Sequence, residues 1–151
     1  NNMYEFIQKL HSGWAYIALL LLVIAIINAV MGMSSKKEFL PKDRKISLFG
    51  LIGVHVQLLI GLILYFVSPL GLESLGQMSD KMLRLTSMEH PLINIIGIAL
   101  ITIGWSKHKK TTDSTAKFKA ITVFYSDSGL FNGHSIIIEV SKNFKLLTAD
   151  L

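Results

Sequence analysis

Cysteine is absent from all 151 residues, which removes disulfides, thiolate metal sites, iron–sulfur clusters held by Cys and the covalent attachment of c-type haem. Charge is scarce as well. Only 17% of the residues are Asp, Glu, Lys or Arg while 51% are hydrophobic, too few charges for the water-facing shell of an ordinary soluble domain. The acidic side is the thinner one, with 10 acidic against 15 basic residues, a formal charge of +5 and a pI near 9.5. That balance does not indicate nucleic acid, because the Lys and Arg residues flank apolar stretches instead of lining an aromatic-studded face.

What the chain does have is long uncharged runs: Ser12 to Ser35, Ile46 to Leu72 and His90 to Ser106 contain no Asp, Glu, Lys or Arg. A hydrocarbon core of roughly 30 Å takes about 20 apolar helical residues, so these runs read as membrane spans at about 12–33, 46–67 and 89–106. Spans on this scale leave no room for a separate soluble catalytic domain. The first run has no basic segment before it and ends in Lys36 and Lys37 rather than at a small-residue cleavage site, so a retained span is expected, not a signal peptide. Asn1 and Asn2 precede Met3, which looks like the natural start.

The links order the topology. Between spans one and two, Lys36, Lys37, Lys42, Arg44 and Lys45 outweigh Glu38 and Asp43 for a net +3. Between spans two and three, Lys81 and Arg84 meet Glu73, Asp80 and Glu89 for a net −1. Five lysines, Lys107, Lys109, Lys110, Lys117 and Lys119, then follow the third span against Asp113. This alternation predicts an outside N-terminus with both basic links in the cytoplasm. Pro41 and Pro69 punctuate span two, and Pro91 suits the first turn of span three, where a missing N–H costs little. Trp14, Tyr16, Tyr65 and Trp105 are expected at interfacial levels, and residues 72–87 as a short interfacial helix. A fourth helix starts at 118–125 and then meets Ser126-Asp127-Ser128-Gly129 and Asn132-Gly133, which predicts an incomplete fourth span and an atypical tail over 126–151. The fold class is an all-α integral membrane bundle.

Helical periodicity sorts the polar residues inside it. His11, Ala15, Ala18, Leu22, Ala25 and Ala29 form one stripe, and His90, Asn94, Gly97, Ile101, Gly104 and His108 another. Small residues let membrane helices, or a flat ligand, approach closely, so both stripes are expected to face the interior. In span two, Gly50, Gly53, Gln57 and Gly61 mark one side and His55 lies nearly opposite. From a rise of about 1.5 Å per residue, His11 and His90 come closest in level while His55 sits near the middle. Ionisable residues inside a bilayer are costly and are site candidates by default, and His is a common metal ligand. Each also has a structural reading: His11 bonding headgroups, His90 bonding Glu89 or a loop carbonyl, His55 bonding across the bundle to Asn28 or the neighbours of Gln57. His108, among Lys107, Lys109 and Lys110, reads as a solvated residue.

Four strings carry a resemblance: His11-Ser12-Gly13, Asp43-Arg44-Lys45-Ile46-Ser47-Leu48, Val54-His55-Val56-Gln57-Leu58-Leu59-Ile60-Gly61, and Leu83-Arg84-Leu85-Thr86-Ser87-Met88-Glu89-His90-Pro91. Over about residues 3–125 the chain resembles the small bacterial inner-membrane "cytochrome B" family. That resemblance implies a four-helix membrane protein with haem b, with His11, His55 and His90 as the cofactor-binding metal ligands and Arg84 beside them. Two His on opposite sides of the iron would leave no open position for oxygen, so electron transfer is expected rather than conversion of a substrate. His11 with His90 is the favoured pair and His90 with His55 its rival; Arg84 would bond a propionate and Glu89 would orient a His. Redox partner proteins or a quinone, the lipid bilayer and an oligomer are the partners such a carrier implies. Family members continue past Tyr125 as an apolar span, whereas this chain departs there, as a shifted reading frame would produce. The competing functions are a haem-free scaffold or assembly subunit, and a haem-modifying enzyme similar to haem A synthase.

Overall fold

Backbone N–H and C=O groups in hydrocarbon have to pair within their own segment, which holds uncharged runs of this length to helices. The computed structural model describes residues 2–149, with side chains described at all of these except positions 86, 135–140, 142 and 143. Helix α1 covers Asn2–Ser34 and α2 covers Pro41–Val67. A 3-10 turn at Leu72–Ser74 and the short helix α3, Lys81–Arg84, stand where an interfacial helix was expected. A π-helical turn, Leu85–Glu89, then runs into α4, His90–Lys110, followed by α5, Ser114–Asn132, and α6, His134–Ala149. The described residues contain no strand, and the architecture is the expected all-α bundle.

Helix α1 packs on α2 and α5, and α4 packs on α5 and α2, which closes a four-helix ring. Three helical stretches among the described residues are long and apolar enough to cross a membrane: Asn2–Ser34, Pro41–Val67 and Lys81–Lys110. In their most apolar windows only 28%, 28% and 22% of the residues are buried inside the protein, so apolar side chains such as Ile24, Phe49, Leu59 and Ile95 face outward. Lipid can cover such a surface and water cannot do so cheaply. The chain is a membrane protein.

Small residues set the contacts. Ala18, Leu22, Ala25 and Ala29 of the first stripe and Gly97, Ile101 and Gly104 of the second are buried. A Cβ on Gly32 would stand 2.4 Å from the Phe118 ring, and one on Gly104 would stand 2.5 Å from the Phe124 Cβ. Hydroxyls in the helices are satisfied by back-bonding, as Ser47 Oγ donates to Asp43 O at 2.9 Å and Thr122 Oγ1 to Phe118 O at 2.8 Å.

The fourth helix does not stop at residue 125. It continues through Asn132, because the residues that read as breakers share a packed face: Ser128 is buried, a Cβ on Gly129 would come within 3.3 Å of Leu22, and Asp127 points outward. Asn132 Nδ2 donates to Ser128 Oγ at 2.8 Å, and Gly97 leaves the space that Asn132 enters. Polar side chains that bond one another can lie inside a helix pair, whereas the same residues facing lipid would end the span. Buried Tyr125 ties this helix to α2 by donating to Ser47 O at 2.7 Å. Tyr125→Phe is expected to lower stability by about 1 kcal/mol, the net worth of one hydrogen bond, read as a lower midpoint in detergent unfolding.

Candidate functional site

Proline at 91 has no N–H to give to the carbonyl four residues earlier, and that carbonyl, Ser87 O, accepts instead from Tyr65 Oη at 2.9 Å. The π-helical turn before His90 therefore has a local cause and a tertiary partner, and it fixes α2 to the start of α4. π-Turns of this kind occur frequently at functional sites.

At this end of the bundle α1 and α4 stand diagonally across the ring, and a cavity of about 590 Å³ lies between them and α2. Its lining includes His11, Ala15, Gln57, Gly61, His90 and Asn94, with Leu, Ile, Val and aromatic side chains making up much of the rest. Pockets for cofactor-sized molecules run from about 300 to 1,000 Å³. The His11 and His90 rings meet in a T-shaped arrangement, with centroids 6.2 Å apart and planes at 89°. Gln57 Nε2 donates to His11 O at 2.8 Å, and Gly61 admits the His11 ring, since a Cβ there would be 3.1 Å from its Cε1. Asn94 Nδ2 lies 3.2 Å from His90 Nδ1 and donates to His90 O at 2.7 Å.

His11 Nδ1, Gln57 Oε1 and His134 Nδ1 are buried without a hydrogen-bond partner, which is uncommon enough for polar atoms in a folded protein to call for a cause. His134, the first residue of α6, is close enough to His90 to act on it electrostatically. Sequence reasoning missed it, reading it only as part of the break after α5. Its signal was position: with α5 antiparallel to α4, a His just past Asn132 returns to the level of His90.

Two imidazoles on opposite sides of one ion, each with a nitrogen about 2.0–2.1 Å from it, would have ring centres about 6 Å apart, the spacing of the His11 and His90 centroids. A bare tetrahedral ion wants four ligands, and the described residues hold no cluster of three or more His, Cys, Asp or Glu able to bind one. A paired-His donor set in an apolar cavity fits a group that brings its own equatorial donors, as haem does.

The remaining candidates lie elsewhere. His55 is outside the cavity, with Nδ1 2.8 Å from Leu51 O and Nε2 3.3 Å from Thr102 Oγ1. It bonds across the bundle, though to Thr102 of α4, not to Asn28 or a neighbour of Gln57. Arg84 is not among the lining residues; its Nε pairs with Glu89 Oε1 at 3.1 Å and its Nη1 donates to Met78 O at 3.1 Å. Glu89 is thereby turned to Arg84. His108 is not solvated: it is 1% exposed, with Nδ1 2.6 Å from Trp105 O and its ring centroid 4.4 Å from that of Trp105. Its stripe on α4 outweighs its charged sequence neighbours, which project from other sides of the helix. Trp14 also turns inward, donating from Nε1 to Gly53 O at 2.8 Å.

Fold and site together define an integral membrane helical bundle with a histidine-walled cavity at one end. Comparison with family models, curated proteins and solved structures returns no match.

Proposed function

We propose that the chain is a cytochrome b-like electron carrier of a bacterial inner membrane that holds one haem b through His11 and His90. The T-shaped pair of imidazoles in an apolar cavity carries this reading. When bound, the haem iron supplies one-electron redox chemistry. The protein contributes the rest. Neutral His11 and His90 offer ring nitrogens as ligands, and Gln57 anchors the α1 backbone at His11. Asn94 braces His90 from one turn further along α4. Apolar side chains make up much of the cavity wall, and an occupied cavity would give the unpartnered His11 Nδ1 a bonding role.

The charge alternation supports an outside N-terminus and cytoplasmic basic links, an orientation in which the cavity would lie toward the outer leaflet. Redox proteins or a membrane quinone are the partners such a carrier would serve, and self-association is compatible with it. The test is a reduced-minus-oxidised visible spectrum of detergent-purified protein, paired with haem extraction. We expect a b-type difference spectrum with one haem per chain. Protein made with ample haem that contains none would refute the proposal and favour a haem-free scaffold, whose Gly and Ala stripes serve packing alone.

A further inference from the structure

Helix α6 differs from the bundle helices. The sequence repeats apolar residues at 136, 137, 140, 144 and 147, positions that share an arc of roughly 100° on a helix. Lys142 and Lys145 occupy positions on the opposite arc, together with Glu139 and with Ile138 and Leu146 as its apolar exceptions. Among the described residues, α5 is the one ring helix with more than marginal contact with α6, and Phe144 and Leu147 are 66% and 73% exposed. An apolar arc of this kind has to find a cover. Where α6 begins decides which cover is at hand. Gly133, its immediate predecessor, lines the same cavity as His11 and His90, so the chain leaves α5 at the end of the membrane-spanning bundle. An end of the bundle is where a lipid-facing surface would give way to headgroups.

We propose that α6 lies in the bilayer interface at the histidine end, with Phe144 and Leu147 in the acyl boundary and Lys145 among the headgroups. The lipid surface it would join is continuous with the one already covering the spans. A continuous apolar arc with the lysines opposite it is what an interfacial helix requires; its apolar face then sinks about 5–10 Å into the headgroup and acyl boundary. Lysines on the outer arc suit anionic headgroups. The reading is independent of haem, because it rests on the helix and the bilayer alone.

A chain without cysteine allows a clean test. Phe144→Cys, Lys145→Cys and Leu147→Cys are each labelled with a nitroxide in the full chain. The protein is then placed in nanodiscs of phosphatidylcholine and phosphatidylglycerol. Collision rates are measured with oxygen, which concentrates in lipid, and with a water-soluble nickel chelate. The oxygen-to-chelate ratio is expected to be high at 144 and 147 and severalfold lower at 145. Three labels equally open to the chelate would overturn the proposal in favour of a helix free in water. Three labels shielded from both reagents would overturn it in favour of a protein partner or second copy.

Discussion

If the chain holds haem as proposed, replacing His90 with alanine is expected to abolish the b-type difference spectrum, and His11→Ala to do the same, whereas His55→Ala should leave it in place. The reason is positional. The His11 and His90 rings meet in the cavity with centroids 6.2 Å apart, while both nitrogens of His55 are engaged by Leu51 and Thr102 on another side of α2. In the proposed arrangement, loss of either His would leave one imidazole where two are needed to hold the haem. The effect should be close to all-or-none in haem content per chain, with helical circular dichroism and gel-filtration behaviour unchanged. Retention of haem in both the His11 and His90 variants would sink the ligand assignment even if the protein binds haem. Loss in the His55 variant with retention in the His11 variant would point to the rival pair.

Asp43→Ala should give the largest loss of stability, about 2–3 kcal/mol, measured as the midpoint shift of unfolding in mixed detergent. Asp43 is fully buried at the basic end. Its Oδ1 accepts from Asn28 Nδ2 at 3.0 Å and Lys37 Nζ at 2.9 Å, and its Oδ2 accepts from Leu40 N at 2.8 Å. The carboxylate thus joins α1, the link and the first turn of α2. Removing it leaves the Asn28 amide and the Leu40 N–H without a partner, which costs more than the bonds contribute. Lys37 is about one-third exposed and can turn to water, so its part in the loss is small. Asp43→Asn, which keeps one acceptor oxygen, should fall between the wild type and the alanine variant. A midpoint for Asp43→Ala equal to wild type would show that this end of the bundle is held by packing alone.

Much of the bundle was legible because the signals are local. Uncharged runs name the solvent, and the alanine and glycine stripes name the inner faces, as the burial of Ala25, Ala29, Gly97 and Gly104 bears out. The fourth helix was harder. Ser128, Gly129 and Asn132 look like breakers in a row, and only the packing of α5 on α1 and α4 turns them into a contact surface. His108 was misread for a related reason: three adjacent lysines dominate a linear reading, while a helix distributes neighbours around its circumference.

By itself the sequence determined the solvent, the helical class and the matching levels of His11 and His90, since charge content and a fixed rise per residue are properties of single segments. Tertiary structure decided which histidines meet. Level along the membrane leaves the angle around each helix axis and the order of helices in the ring open. Those follow from the mutual fit of Gly61 to His11, Gly97 to Asn132 and Gly32 to Phe118. Close packing between helices, a property of pairs of segments, brought His11 to His90, put His134 near His90 and sent His55 to Thr102.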